Sequence, residues 1–433
     1  MSINPKFTKR ILLTFILLLL LFPLIQFRNN IFKVKPLFGA VTLAADTSIT
    51  AKGWFTAEYQ QQKELFTNDN FGFRSLLVRL NNQIAYWLYN KAKANGVIIG
   101  KNNYLYEENY IKACLGIDYV GEDSIAHRMN RLKYISDTLT KLNKNLILVY
   151  AAGKGGFYPE FIPDEYGKKR GTTNFETHIK FSKQLKLNFI DFNSYFIANK
   201  NKSKYLLYPQ YGIHWSHYGV YLVEDSIIRY IEKLRNIDMP NAFYDKVDFE
   251  YPKNTDRDIS DGMNLLFNFK SPMMAYPLVK YQNDSAKTRP SVLVISDSFY
   301  WGIFSSGISA AFDKTQFWYY NKEVIQDGSN KPLAPFELNL REEIKKYDVV
   351  IILSTDANLP AMGWGFIENL YDMFQGKTSE VDFSVRLAQQ SKVMRADANW
   401  MNLIREKAAK NNITPDSMLT LDAIWVLKEN DKK

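Results

Sequence analysis

The chain has one cysteine and four histidines in 433 residues. A lone thiol, Cys114, cannot close an intrachain disulfide, which excludes a disulfide-framed secreted module and leaves a chain that must hold together by its core. Without a Cys/His cluster a structural zinc site has no ligands, and neither a metal nor a cofactor is expected. Internal repeats and low-complexity tracts are absent, and so is any second apolar stretch of spanning length after the N-terminal one. Acidic residues are outnumbered, 45 to 55, for a net charge of +10. The basic residues are interspersed with acids along the chain, so nucleic acid is not the expected partner. A basic surface facing anionic membrane or an acidic glycan is the simpler expectation.

What is present begins with Ile11 to Phe27, an uncharged run preceded by Lys6, Lys9 and Arg10. No small-residue cleavage site follows it directly, and TLAA at 42–45 lies far beyond, so the run is expected to be an uncleaved signal anchor. Arg28, Lys33 and Lys35 nearly balance the charges before it, so orientation rests on position. A short basic N-terminus inside and a long remainder outside imply a single-pass protein of a bacterial inner membrane, its body on the periplasmic side. Residues 1–30 form this stub and anchor, 31–52 a tether, 53–94 a helical lead-in, 95–378 the main domain and 379–433 a helical extension. In the lead-in, two stretches at helical spacing break at Asn68-Asp69-Asn70 and Gly72, and a hairpin follows over 96–106.

From there the pattern alternates. Strands are expected at 145–152, 187–192, 291–296, 315–320 and 348–355, with helices near 125–142, 217–234, 300–312, 338–346 and 361–374. This is the signature of an α/β fold with a doubly wound, mostly parallel sheet covered by helices on both faces.

The strand Ser291–Ile295 runs straight into Ser296-Asp297-Ser298-Phe299, with WGIFSSGISAAF immediately after. In open α/β sheets functional side chains gather at carboxyl ends of strands, and Ser298 there would sit beside free backbone N–H groups able to hold an oxyanion. Ser and Asp are also common helix caps, so the tetrapeptide alone fits an ordinary strand-to-turn junction. His214 stands 84 positions upstream in GIHWSHYG. A serine hydroxyl is a poor nucleophile at neutral pH and needs an imidazole to take its proton and return it to the leaving group.

Four segments, NFGFRSLLVRLNNQIAY, VIIGKNNYLYEENYI, AAGKGGFYPEFIP and the pair GIHWSHYG with VLVISDSFYWGIF, carry a resemblance from about Trp54 to Phe374. In order and spacing they resemble the alginate O-acetyltransferase family (AlgX/AlgJ type), a branch of the SGNH hydrolase superfamily. The resemblance implies an SGNH-hydrolase-like domain, with Ser298 as nucleophile in place of the GDS serine and His214 as general base in place of the D-x-H-W histidine. It further implies a membrane-anchored O-acetyltransferase with a polysaccharide acceptor, and a polytopic membrane-bound O-acyltransferase as the partner delivering the acyl group. An esterase with the same site, and a non-catalytic glycan-binding or assembly subunit, stay open.

The departures are specific. Where the family has an acid two residues before the histidine, this chain has Gly212, so the orienting carboxylate must come from elsewhere. Asp256, Asp258 and Asp261 are the candidates, beside a backbone carbonyl. Ser296 replaces the glycine before the Asp-Ser pair and, with Phe299, is assigned to the oxyanion and substrate side, while Asp297 is expected to be a cap or turn residue. Lys154, just past the strand at 145–152, is expected either to face the same crevice and bind an acidic glycan or acyl carbonyl, or to be a solvated loop lysine. Trp215 is expected to pack His214 in place, with sugar stacking open, and His217 to be a surface or packing residue. His127 and His178 are expected to be solvated.

Overall fold

A computed structural model describes residues 5–39, 43–167, 169–325, 333–335, 338–377, 380–411 and 413–430. Ten strands occur among them: β1 (Val97–Ile99), β2 (Leu105–Glu107), β3 (Asn145–Ala151), β4 (Phe189–Asp191), β5 (Ala242–Glu250), β6 (Met274–Tyr281), β7 (Val292–Ser296), β8 (Thr315–Tyr319), β9 (Glu323–Ile325) and β10 (Val349–Thr355). Six of these build the central sheet in the order β4-β3-β10-β7-β8-β9. All neighbours are parallel except β9, which pairs antiparallel with β8 at the edge.

Every residue of β7 and β10 is buried. Their sequences read as unbroken apolar runs because both faces of the sheet are covered. Ile147, Val149, Val292, Val294, Ile351 and Leu353 pack under the helices His217–Arg235 and Tyr300–Ser306. The alternate residues, among them Leu148, Leu293, Ile295, Val350 and Ile352, face the helices Glu122–Lys141 and Phe366–Phe374. In Glu122–Lys141 the buried residues Ile125, Met129, Leu132, Ile135 and Leu139 recur every three or four positions, the stripe of an amphipathic helix.

Every expected strand forms, with its ends trimmed by one or two residues. The helix expected over 300–312 ends at Ser306, because Gly307 adopts φ 96°, and a short 3-10 turn, Ile308–Ala311, follows. The helix expected from 361 starts at Phe366, after a 3-10 segment Asp356–Ala361. Unforeseen is the antiparallel ribbon of β5 and β6, whose connection, residues 251–273, crosses beside the histidine loop. The described part of the tether before the short helix Ala51–Phe55 is irregular yet held, since Arg79 donates to the Pro36 carbonyl (2.7 Å) and the Asn264 side chain both accepts from the Phe38 N–H (2.8 Å) and donates to the Phe38 carbonyl (3.0 Å). The C-terminal extension forms three helices, Glu380–Ala396, Ala398–Lys410 and Pro415–Asn430, around a small core of Met394, Ile404, Leu419 and Ala423.

The N-terminal helix Pro5–Asn29 is long and apolar enough to cross a bilayer. Most of it stands clear of the body, and its last turns pack at Pro23 on Gly72 and at Phe22 on Phe73. Removing a buried branched chain from the sheet tests the core: Ile351→Ala, between Ile147 and Val294, is expected to lower the unfolding free energy by about 2–5 kcal/mol in urea denaturation of the full-length protein in detergent.

Candidate active site

The chain passes outward from β3 to β4 on one side and from β7 to β8 on the other, and β10 comes last to lie between β3 and β7, so the carboxyl ends of these central strands flank a topological switch point, where doubly wound sheets bind ligands. Ser298 stands there, half-buried, at the turn before the helix Tyr300–Ser306. Asp297 beside it is fully buried and shapes the turn. Its carboxylate accepts from the N–H groups of Phe299 (3.1 Å) and Thr355 (2.8 Å), the Thr355 hydroxyl (2.9 Å) and the Asn358 amide (2.9 Å), tying the end of β7 to the end of β10. The capping expectation for Asp297 therefore extends to a cross-strand clamp.

His214 is held from both sides in sequence. Ser216 caps the helix His217–Arg235, accepting from the Gly219 N–H (3.0 Å) and donating to the Leu206 carbonyl (2.6 Å). Trp215 is buried against Phe192, Phe196 and Phe299, so it packs the histidine rather than presenting a face to sugar. The imidazole bridges two groups: Nε2 lies 2.9 Å from the Ser298 hydroxyl, and Nδ1 lies 2.6 Å from Asp258 Oδ2. The other oxygen of Asp258 accepts from the N–H groups of Ile213 (2.9 Å) and Ile259 (2.7 Å). A carboxylate can only accept, so Nδ1 carries the hydrogen and Nε2 is left as the acceptor of the hydrogen bond from the Ser298 hydroxyl. Burial lowers the affinity of His214 for a proton, but the hydrogen bond and charge of Asp258, with the charges of Asp297 and Glu107, outweigh it and hold the imidazole above its ordinary value.

Of the three acids weighed for this place, only Asp258 reaches His214. Asp256 is buried 3.4 Å from His217 Nδ1, and Asp261 pairs with Arg257 at 2.6 Å. The glycine at 212 now has a steric reason. A Cβ there would meet the Thr255 carbonyl oxygen at 2.1 Å and the Asp256 carbonyl carbon at 2.8 Å. The segment that fills the space beside residue 212 thus also carries the carboxylate.

Three expectations are corrected. Lys154 is neither solvated nor turned to the crevice: it is fully buried, and Nζ donates to the carbonyls of Gln210 (2.8 Å) and Gly212 (2.6 Å), bracing the loop before His214. Burial pulls its ammonium down to about 7 against the charges of Asp258 and Glu107. Ser296 is buried with its hydroxyl on the Asp297 carbonyl, and Phe299 is buried with its N–H committed to Asp297, so neither offers an oxyanion donor. His178 is buried rather than solvated. Its Nδ1 lies 2.7 Å from the Asn174 carbonyl, and burial pushes its imidazole down to about 4. His127 is exposed as expected.

Two residues of the site had no signal in the sequence. Tyr320 lies just past β8 with φ 49°, and burial, with the charge of Asp297, raises its phenol to about 12 against the influence of nearby Ser298. That is a left-handed backbone conformation beside the candidate nucleophile. Glu107, at the end of β2, is raised by burial and by the charge of Asp258, and feels His214 and Lys154 in the opposite sense.

No family model and no curated protein matches the sequence. Solved structures similar to it include the O-acetyltransferase domain of Pseudomonas putida AlgJ, 14% identical over 64% of this chain and 99% of that one, with a TM-score of 0.43. Pseudomonas aeruginosa AlgX follows, 11% identical over 63% and 67%, at 0.42. Bacillus cereus PatB1 is 13% identical over 61% and 96%, at 0.39. AlgJ and AlgX are the proteins after which the resembled family type is named.

Asp258→Asn is expected to cut turnover of an activated ester by roughly two to four orders of magnitude, and to move the acid limb of the pH–rate profile to lower pH, because the anion that raises His214 is gone. Gly212→Asp, which writes in the acid of the resembled motif, is expected to lose activity rather than gain it, since the new Cβ collides with the Thr255 carbonyl. Steady-state rates across pH on variants with unchanged circular dichroism check both.

Proposed function

We propose that this protein is a membrane-anchored O-acyltransferase that moves an acetyl or similar group onto a polysaccharide outside the cytoplasm. The observation that carries the reading is the hydrogen-bonded series Ser298–His214–Asp258 at the switch point of the parallel sheet. In the first half-reaction Ser298 Oγ attacks the acyl carbonyl carbon as His214 Nε2 takes the hydroxyl proton. The tetrahedral oxyanion is met by the phenol of Tyr320, and its collapse expels the donor's leaving group, which takes the proton back from His214. A sugar hydroxyl then gives its proton to His214 and attacks the acyl-serine carbonyl, and Ser298 leaves with that proton. The acyl group ends on sugar oxygen and the enzyme is unchanged.

The acyl donor is proposed to come from a polytopic membrane-bound O-acyltransferase in the same membrane, consistent with an anchor helix packed directly on the folded body. A site with no acid to replace the one missing at Gly212 would favour a non-catalytic subunit, and Asp258 at 2.6 Å from His214 favours the catalytic reading.

Turnover of p-nitrophenyl acetate by the detergent-solubilised protein, with and without an oligosaccharide acceptor, is the test. Ser298→Ala and His214→Ala are each expected to reduce the rate to background, and acetylated sugar is expected from the wild type only. Tyr320→Phe is expected to lower kcat by about 10²–10³-fold with little change in KM. Free acetate with no acetylated sugar would make the protein an esterase, and equal rates in all variants would remove the catalytic assignment.

A further inference from the structure

The helix Arg74–Tyr89 is amphipathic the wrong way round for a soluble domain. Its inward face is polar: Arg79, Asn82 and Gln83 are buried and hydrogen-bond backbone groups of Pro36, Met263, Leu265 and Phe267. Its outward face is apolar, with Leu77, Leu80, Ile84, Trp87 and Leu88 all exposed, and Trp87 stacks at 5.6 Å on Phe267, itself exposed. The spacing of these five positions places them on a single stripe running the length of the helix. A helix whose polar residues are spent on the fold and whose leucines face outward needs an apolar medium on that side.

Two features identify the medium. The helix follows the elbow at Gly72 and Phe73, where the last turns of the apolar helix Pro5–Asn29 pack at Pro23 and Phe22, so the stripe begins where that helix meets the body. No acidic residue occurs from Asn70 to Tyr106, whereas Arg74, Lys91 and Lys93 flank the stripe and Arg28, Lys33 and Lys35 stand at the junction with the anchor. Leucine and tryptophan on one face with basic flanks is the composition of a helix lying in the headgroup region of an anionic bilayer.

We infer that the outward face of Arg74–Tyr89 lies in the outer interface of the membrane that Pro5–Asn29 spans, fixing the catalytic body flat against the lipid. The inference rests on reading Pro5–Asn29 as membrane-spanning. The segment that backs the helix, residues 263–267, directly continues the segment carrying Asp258, so the docked surface and the orienting acid belong to one stretch of chain.

The test uses the full-length protein carrying Cys114→Ser, reconstituted in vesicles of phosphatidylethanolamine and phosphatidylglycerol. Single cysteines at Leu80, Ile84, Leu18 and Asp137 carry an environment-sensitive fluorophore. Labels at Leu80 and Ile84 are expected to emit to the blue, to be quenched by doxyl-labelled lipid and to be shielded from aqueous iodide, as the label at Leu18 is. The label at Asp137, on the exposed side of Glu122–Lys141, is expected to behave oppositely. Iodide quenching at Leu80 and Ile84 with lipid quenching at Leu18 would overturn the inference while keeping the span. Shielding of Leu80 and Ile84 from both quenchers would assign the face to a protein and overturn it as well. Iodide quenching at Leu18 would remove the span and the inference together.

Discussion

The geometry of the site depends on a close approach of two backbones. Residues 210–214 and 255–260 run together tightly enough that nothing larger than hydrogen fits at position 212. They are stitched by the Ile213 N–H on Asp258 and by the Ser260 N–H on the Tyr211 carbonyl, and braced from beneath by Lys154 on two carbonyls. That contact sets the carboxylate of Asp258 against His214, which sets Nε2 against Ser298. Lys154 has no solvent to stabilise its charge and holds its place through the carbonyls it satisfies, so its removal would leave buried acceptors unpaired at about 1–3 kcal/mol.

The sheet supplies the other half. Ser298 is aimed by the end of β7, and Asp297 clamps that end to the end of β10 through three hydrogen bonds and holds its own turn through a fourth, from the Phe299 N–H. A buried carboxylate with this many donors is fully satisfied, and its desolvation penalty, which raises its proton affinity, is opposed by the N–H of Thr355 and the amide of Asn358. Ser298, the proposed nucleophile, therefore sits between a clamped strand end on one side and a stitched pair of loops on the other.

Much of this was legible in the sequence, for physical reasons. Strands buried on both faces must be continuously apolar, so β3, β7 and β10 stand out, and a rare histidine with a serine at a strand end marks the pair that the fold brings together. The ribbon of β5 and β6 did not stand out, because its strands are only partly buried, carry a bulge between Tyr244 and Val247 and include Pro277. Asp258 was one of three neighbouring acids, and only the fold of the connection after β5 chooses among them. Lys154 was misjudged because a lysine among glycines suggests a loop in water, whereas here the glycines let other chain segments close over it: a Cβ on Gly155 would meet the Tyr110 carbonyl at 2.3 Å. Tyr320 carried no signal, since a tyrosine at a strand end in an aromatic-rich chain is unremarkable until its φ and its neighbour are known.

The central claim is that Ser298 is a nucleophile made reactive by His214 and Asp258. The direct measurement is the rate of covalent labelling by a fluorophosphonate, with the modified residue located by peptide mass spectrometry, in wild type and in His214→Ala. The account predicts a single adduct on Ser298, formed much more slowly without the imidazole. An adduct elsewhere, no adduct, or an unchanged rate in His214→Ala would contradict it.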